Sequence, residues 1–261
     1  MGMRPVAAPE TRPEGLAWLG HPPEARAHVR LRVVAAFGRL ILRLADLRIR
    51  VEGLERPPAP GCIVACAMHR SWLDAPLLVV CLPLQPRIWY LGSGEATFRS
   101  RSRERFMRWL GGILPVYRGG MNVDVHVASA QAVLDAGAVF GIFPEGTRAG
   151  DPAVVREFRR GIGLIALRTG APIVPVALGG TAELYRGRRI GLRILDPVTA
   201  LELAGIAAAP MPGSAAELYA ARAVTDALQA TLAPEAEAIA GWAHDAPGVR
   251  RRWRWMGSLF R

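Results

Sequence analysis

Five histidines occur in the chain, at positions 21, 28, 69, 126 and 244, and one of them has a setting that suits chemistry. His69 follows the apolar run Cys62 to Met68, and Asp74 comes five residues later in Met68-His69-Arg70-Ser71-Trp72-Leu73-Asp74-Ala75-Pro76. An imidazole can accept a proton near neutral pH, and a carboxylate on its other nitrogen fixes the tautomer and stabilises the imidazolium. On a helix, residues five apart point about 140° away from each other, so this pair could not meet there. The two can meet if 69–73 form a turn between a strand and a helix. Pro76 supports that turn, because proline is tolerated in the first turn of a helix, which would then begin near Asp74. Alone, the spacing is common. Asp74 also suits a helix N-cap, and His69 also suits a surface loop.

A second segment adds chemistry to the first. Val139 to Phe143 reads as a strand running directly into Pro144-Glu145-Gly146-Thr147-Arg148. Ligand sites in open α/β sheets lie beyond the carboxyl ends of strands. Gly146 permits close approach of backbone to a ligand, Thr147 offers a hydroxyl, and Arg148 offers a planar fork for phosphate. Glu145 would be out of place in a simple phosphate cradle; it could accept a substrate hydroxyl, hold an arginine in place, or be a surface turn acid. A third segment, Gly112 to Arg118, repeats the layout of a short strand ending in arginine, and a fourth, Ala171 to Leu178, is an apolar strand with proline at its start.

The elements that must position these residues follow from periodicity. Val33, Phe37, Leu40, Ile41 and Leu44 repeat with helical spacing, with Arg32, Arg39, Arg43 and Arg50 opposite and Asp46 among them. Residues 25–50 are therefore expected to form an amphipathic helix. Its apolar face could pack on the domain, or lie in a membrane interface with arginine at anionic headgroups. Pro57 to Gly61 is a linker. Strands are expected at Cys62–Met68, Arg87–Leu91, Ile113–Tyr117, Val139–Phe143, Ile173–Leu178 and Ile190–Leu195. Helices are expected over 75–82, 98–110, 123–136 (ended by Gly137), 159–168 (ended by Gly170) and 214–231. This alternation predicts an α/β fold: one domain with a mainly parallel or mixed sheet flanked by helices, spanning 51–240, with the amphipathic helix before it.

Composition narrows the partners. The net charge is +11 and all 33 basic residues are arginine, so an anionic partner is expected: nucleic acid, anionic lipid or a phosphorylated substrate. Cys62, Cys66 and Cys81, an odd count without a C-x-x-C pair, argue against a disulfide framework or a zinc site. Cys62 and Cys66 read as small core residues. Residues 1–24 are rich in Pro, Glu and Ala and read as a mobile tail rather than a secretory signal, which with the cysteine count points to the cytoplasm. No stretch reaches the roughly 18 uninterrupted apolar residues of a membrane span, so any membrane contact is expected to be peripheral. The tail 241–261 ends in a mixture of Arg, Trp and Phe that suits a headgroup zone, could hold RNA by stacking and charge, or could have no partner.

Taken together, H-x4-D at His69 and Asp74, G-x-x-P-V-x-R ending at Arg118, F-P-E-G-T-R at 143–148 and the V-P-V strand resemble the glycerolipid acyltransferase family. Its best-known members are the 1-acyl-glycerol-3-phosphate acyltransferases. The resemblance covers about residues 50–200 and includes Phe158-Arg159-Arg160-Gly161, similar to the family's linker between its third and fourth motifs. It implies that His69 is a general base oriented by Asp74, and that Arg118, Glu145, Gly146, Thr147 and Arg148 bind the acceptor. It implies fatty acyl transfer from acyl-CoA or acyl-carrier protein, as co-substrate, to the free hydroxyl of lysophosphatidate, with no further cofactor and no metal. The implied setting is the cytoplasmic face of a membrane bearing anionic lipid, with no nucleic acid involved. Ser71 has no G-x-S-x-G elbow around it, which disfavours an acyl-enzyme. Met68 stands where the family often has Asn, and Gly92 to Glu95 lacks the family's usual Lys; Arg99, Arg101, Arg103 and Arg105 could supply that charge or form a solvated face. Three other readings remain open: a different acceptor (another lysophospholipid, a lyso-ornithine lipid or a glycolipid), a thioester hydrolase, and a nucleic-acid binding module.

Overall fold

The computed structural model describes residues 25–93, 111–116, 123–148 and 153–244, with positions 101, 102, 105, 109 and 151. The tails 1–24 and 245–261 and most of the expected basic helix 98–110 lie outside the described residues; positions 101, 102, 105 and 109 are helical.

In chain order the elements are α1 (Ala25–Leu44), β1 (Arg48–Glu52), β2 (Ile63–Ala67), α2 (Asp74–Cys81), β3 (Ile88–Ser93), β4 (Ile113–Val116), α3 (Val123–Asp135), β5 (Val139–Ile142), α4 (Gly161–Thr169), β6 (Ile173–Gly179), β7 (Arg189–Ile194), α5 (Ala200–Ala204) and α6 (Ala215–His244). The strands form one sheet in the order β1-β7-β6-β2-β5-β3-β4. Every pairing is parallel except β6 with β7, so β1 and β7 run against the other five.

The central strands are apolar along their whole length because both faces of the sheet are covered. Successive β2 residues alternate sides: Ile63, Ala65 and Ala67 join a core with α3, α4 and α6, while Val64 and Cys66 join a second core with α1 and α2. On the first side, α4 and α6 approach so closely that a Cβ on Gly163 would lie 2.1 Å from the Ala221 carbonyl oxygen. Cys62 and Cys66 are buried, as their apolar run predicts.

Three boundaries differ from the sequence reading. The first helix ends at Leu44, not at residue 50, because Asp46 takes a positive φ of 51° and Arg48–Glu52 pairs with β7; Arg50 thus lies on a strand, apart from the arginine stripe. The last helix runs to His244 instead of residue 231, passing through Pro234. Proline there removes a hydrogen bond to the carbonyl of residue 230, but Ala230 is exposed, so water can satisfy that oxygen. Beyond it, Ala236, Ile239, Ala240 and Ala243 are buried, which sustains the extra turns. The short helix α5 was not read from the sequence, although Thr199 and Glu202 form its reciprocal capping box.

Candidate active site

β2 and β5 are parallel neighbours at the centre of the sheet, in register Ala65 with Ile142. Each chain therefore leaves the sheet at the same level, β2 into His69 and β5 into Glu145. This places the two motif turns side by side at the carboxyl edge, where open α/β sheets bind ligands.

The segment 68–73 is the expected turn. Met68 takes a positive φ of 69° and is buried, reversing the chain at the end of β2. The family's usual Asn adopts this conformation readily, whereas a Met side chain is strained there. Asp74 opens α2 and is fully buried. Its Oδ2 lies 2.7 Å from His69 Nδ1 and also accepts the backbone N–H groups of Arg70 and Ser71, each at 2.8 Å. Oδ1 is buried with no hydrogen-bond partner among the described residues, so what holds Asp74 acts through Oδ2. A carboxylate accepts and does not donate, so Nδ1 carries the proton toward it and the Nε2 lone pair is left for another partner. Phe143 stacks on the imidazole, with ring centroids 4.0 Å apart, and Tyr90 stacks behind Phe143. The imidazole, 18% exposed, is thus held on one nitrogen and one face.

Glu145 faces inward. It is 2% exposed; Oε1 accepts the His69 backbone N–H at 2.7 Å, and Oε2 accepts Arg70 Nη1 at 2.5 Å and the Arg156 N–H at 3.4 Å. The family resemblance implies a role in acceptor binding; in the structure both carboxylate oxygens are engaged by the His69 turn, and of the sequence alternatives, holding an arginine is the one the geometry displays. Arg70 donates three further bonds to backbone: Nη1 to His69 O (3.0 Å), Nε to Asp151 O (3.0 Å) and Nη2 to Val154 O (2.6 Å). Sequence reasoning missed Arg70 as the partner of Glu145; the one local signal was its place beside His69, because the nearby acid in sequence, Asp74, takes its backbone N–H and not its guanidinium. From the other side, α6 grips the same loop: Glu237 accepts the Val155 N–H and Gln229 that of Phe158.

The remaining predicted residues are placed as follows. Gly146 has φ 68°, and a Cβ there would lie 2.7 Å from Arg159 Nε, so its freedom admits both the turn and the crossing Arg159 side chain. Thr147 is half-buried and Arg148 is exposed, both on the turn after β5. Arg118 lies outside the described residues; β4, which leads to it, is the sheet edge, two strands from β5. Ser71 Oγ accepts the Leu73 N–H within the turn. Burial pushes the Cys62 and Cys81 thiols up to about 11 and that of Cys66 well above its ordinary value, so all three stay protonated at neutral pH.

The arrangement can take a proton at Nε2 from a hydroxyl or a water and return it to a leaving group. Comparison with known proteins gives it a family. The acyltransferase family model matches residues 48–179. The 1-acyl-sn-glycerol-3-phosphate acyltransferase of Bacillus subtilis is 30% identical over 161 residues, 58% of this chain and 73% of that protein. The alpha form of 1-acyl-sn-glycerol-3-phosphate acyltransferase of Homo sapiens is 27% identical over 171 residues, 59% of this chain and 56% of that one. The matching region spans 55% of the length of the corresponding sheep and cattle proteins. In three dimensions the chain is similar to the crystal structure of the 1-acyl-sn-glycerophosphate (LPA) acyltransferase PlsC from Thermotoga maritima, with TM-score 0.53, 24% identity, and coverage of 80% of this chain and 83% of that one. The matched segment runs from β1 through β6 and contains both motif turns: this chain belongs to the acyltransferase family.

Proposed function

We propose that the protein is an O-acyltransferase that moves a fatty acyl group from acyl-CoA or acyl-carrier protein to the free hydroxyl of lysophosphatidate. The observation that carries this reading is the His69 imidazole, bonded through Nδ1 to buried Asp74 at 2.7 Å beside the Glu145–Arg148 turn. In this mechanism Nε2 takes the proton of the acceptor hydroxyl while its oxygen attacks the thioester carbonyl. The tetrahedral intermediate collapses, the C–S bond breaks, and the departing thiolate takes the proton back from His69 Nε2 to leave as the thiol, which regenerates the base. Asp74 stabilises the transient imidazolium, and general-base help of this kind is worth roughly 10²–10⁴ in rate. Thr147, Arg148 and Arg118 are read as acceptor-binding residues, with Arg148 exposed on the motif turn.

The partner surface in this reading is an anionic membrane, and α1 is the element that meets it. Leu31, Ala35 and Leu42 face inward and Gly38 packs on Val80, so the domain side of α1 is not the apolar face seen in the sequence. Val29, Val33, Phe37, Leu40, Ile41 and Leu44 instead form an exposed stripe, Phe37 at 62% and Leu44 at 74%. They are six of the twelve exposed large apolar residues among the described residues. Exposed Arg32, Arg39 and Arg43 flank the stripe, the charge pattern of an interfacial helix at anionic headgroups. Among the described residues no helix is long and apolar enough to cross a membrane. The reading places the protein peripherally on the cytoplasmic face.

The test is mass spectrometry of products formed by the purified protein from acyl-CoA or acyl-carrier protein and a panel of lysophospholipid, lyso-ornithine and glycolipid acceptors. Phosphatidate formed from lysophosphatidate is the expected product. Transfer to a different acceptor alone would replace the acceptor in this reading, and thioester loss independent of every acceptor would replace transfer with hydrolysis.

A further inference from the structure

Beside the catalytic turn lies a second feature that the His69–Asp74 chemistry does not use. A cavity of about 470 Å³ opens between the Glu145 turn, the loop before α4 and the side of α6, and four arginines line it: Arg156, Arg159, Arg160 and Arg222. Its two acids are already engaged. Glu145 is bound to Arg70 and the His69 backbone, and Glu157 accepts from Arg222 at 3.1 Å. Arg222 is also held by Asp226, on its own helix, at 2.9 Å. The wall is thus cationic, and its positive charge exceeds what its own carboxylates offset.

Arg159 ties this cavity to the motif turn. Its backbone N–H donates to Pro144 O at 2.9 Å, and its side chain crosses Gly146, where a Cβ would lie 2.8 Å from Cδ. Arg160 is the residue preceding α4, so the positive end of that helix faces the same space. Both side chains are exposed. A planar guanidinium binds phosphate through paired charge-assisted hydrogen bonds, and a cavity of this volume is in the range of small-molecule sites.

We propose that this cavity is a phosphate-monoester site, with Arg159 and Arg160 as its principal ligands, that anchors a substrate beside His69. The inference rests on the acyl-transfer reading for the identity of that substrate. Two phosphate monoesters belong to the reaction, the acceptor's own phosphate and the 3′-phosphate of CoA. The site makes the same contacts with either, so the two are separated by experiment.

The experiment compares the full chain with Arg160→Gln and with the Arg159→Gln/Arg160→Gln double variant. Calorimetric titration uses glycerol 3-phosphate for the acceptor's phosphate and adenosine 3′,5′-bisphosphate for the donor's. The wild type is expected to bind one of them, and the double variant to bind it at least about 10-fold more weakly, as loss of charge-assisted bonds implies. Arg160→Gln, which leaves the Arg159 crossing over Gly146 intact, is expected to weaken binding in the same direction with unchanged thermal unfolding. In turnover, a raised KM for lysophosphatidate alone assigns the site to the acceptor. A raised KM for acyl-CoA, with that for acyl-dephospho-CoA unchanged, assigns it to the donor. Unaltered binding of both compounds in the folded variants, or no binding of either by the wild type, overturns the proposal. Binding is read without turnover, so a protein that holds phosphate but transfers no acyl group would overturn the acyl-transfer reading and leave this site standing.

Discussion

Two buried carboxylates meet His69 from different sides: Asp74 takes the ring, and Glu145 takes the backbone. Their substitutions should therefore differ in kind. In Asp74→Asn the amide can no longer serve as sole acceptor for Nδ1 and two backbone N–H groups, so kcat is expected to fall about 10²–10⁴-fold, with KM little changed. Glu145→Gln puts an NH2 group where one oxygen now accepts, either from His69 N–H or from Arg70, and one buried donor loses its partner. That variant is expected to lose both kcat and about 2 kcal/mol of stability, seen in denaturant unfolding. A Glu145→Gln protein with wild-type stability and only a raised acceptor KM would restore Glu145 to the ligand-binding surface. The turn that joins His69 to Asp74 was legible from their spacing, which a helix could not bridge, although that spacing alone is common. The inward direction of Glu145 was not, since the strand register that brings it to His69 joins residues 76 apart in sequence.

At the scale of elements, local periodicity was enough for β2, α2, β5, α4 and β6, each bounded by Pro, Gly or a capping position. It failed for β1, whose Arg-Ile-Arg-Val-Glu alternation continues the polar pattern of α1 and is decided by pairing with β7, a distant partner. The antiparallel entry of β7 was equally hidden, because strand direction is a property of the connection and not of the strand. Helix packing gives a pH test. Arg168 grips Glu217 with Nε at 2.6 Å and Nη2 at 2.8 Å, and holds that carboxyl below its ordinary value of 4.5 despite burial, assisted by the Gly213 N–H. A carboxyl that ionises more readily folded than unfolded stabilises the fold above its unfolded pKa and loses that contribution as pH falls through the folded value. Glu217→Gln is thus expected to melt below the wild type at pH 7, with the gap closing as pH falls below the ordinary carboxyl value of 4.5. A gap that stays constant across this range would show that the pair contributes nothing through its charge.

For the whole molecule, the register connects the proposed membrane face to the chemistry. Gly179, the last residue of β6, pairs with Gly191, and Arg48 at the start of β1 pairs with Arg189. The exit of α1 therefore reaches the same edge of the sheet from which the His69 turn leaves. A lipid-docked stripe ending at Leu44 would bring that edge to the membrane, where an acyl acceptor resides. Residues 25–50 read as an amphipathic helix in the sequence, but only the fold shows that its widest apolar face is left uncovered. Phe37→Glu with Leu44→Glu is expected to lower partition onto anionic vesicles by at least about 10-fold while leaving thermal unfolding unchanged, since both side chains are exposed. Unchanged partition would remove α1 from the membrane contact.

The central claim, that His69 is the base for acyl transfer, is tested most directly by following phosphatidate formation from acyl-CoA and lysophosphatidate with the wild type and with His69→Ala. The account predicts steady product from the wild type and a rate lower by about 10²–10⁴ in the variant, with an unchanged circular dichroism spectrum. Wild-type turnover by a folded His69→Ala protein would contradict it.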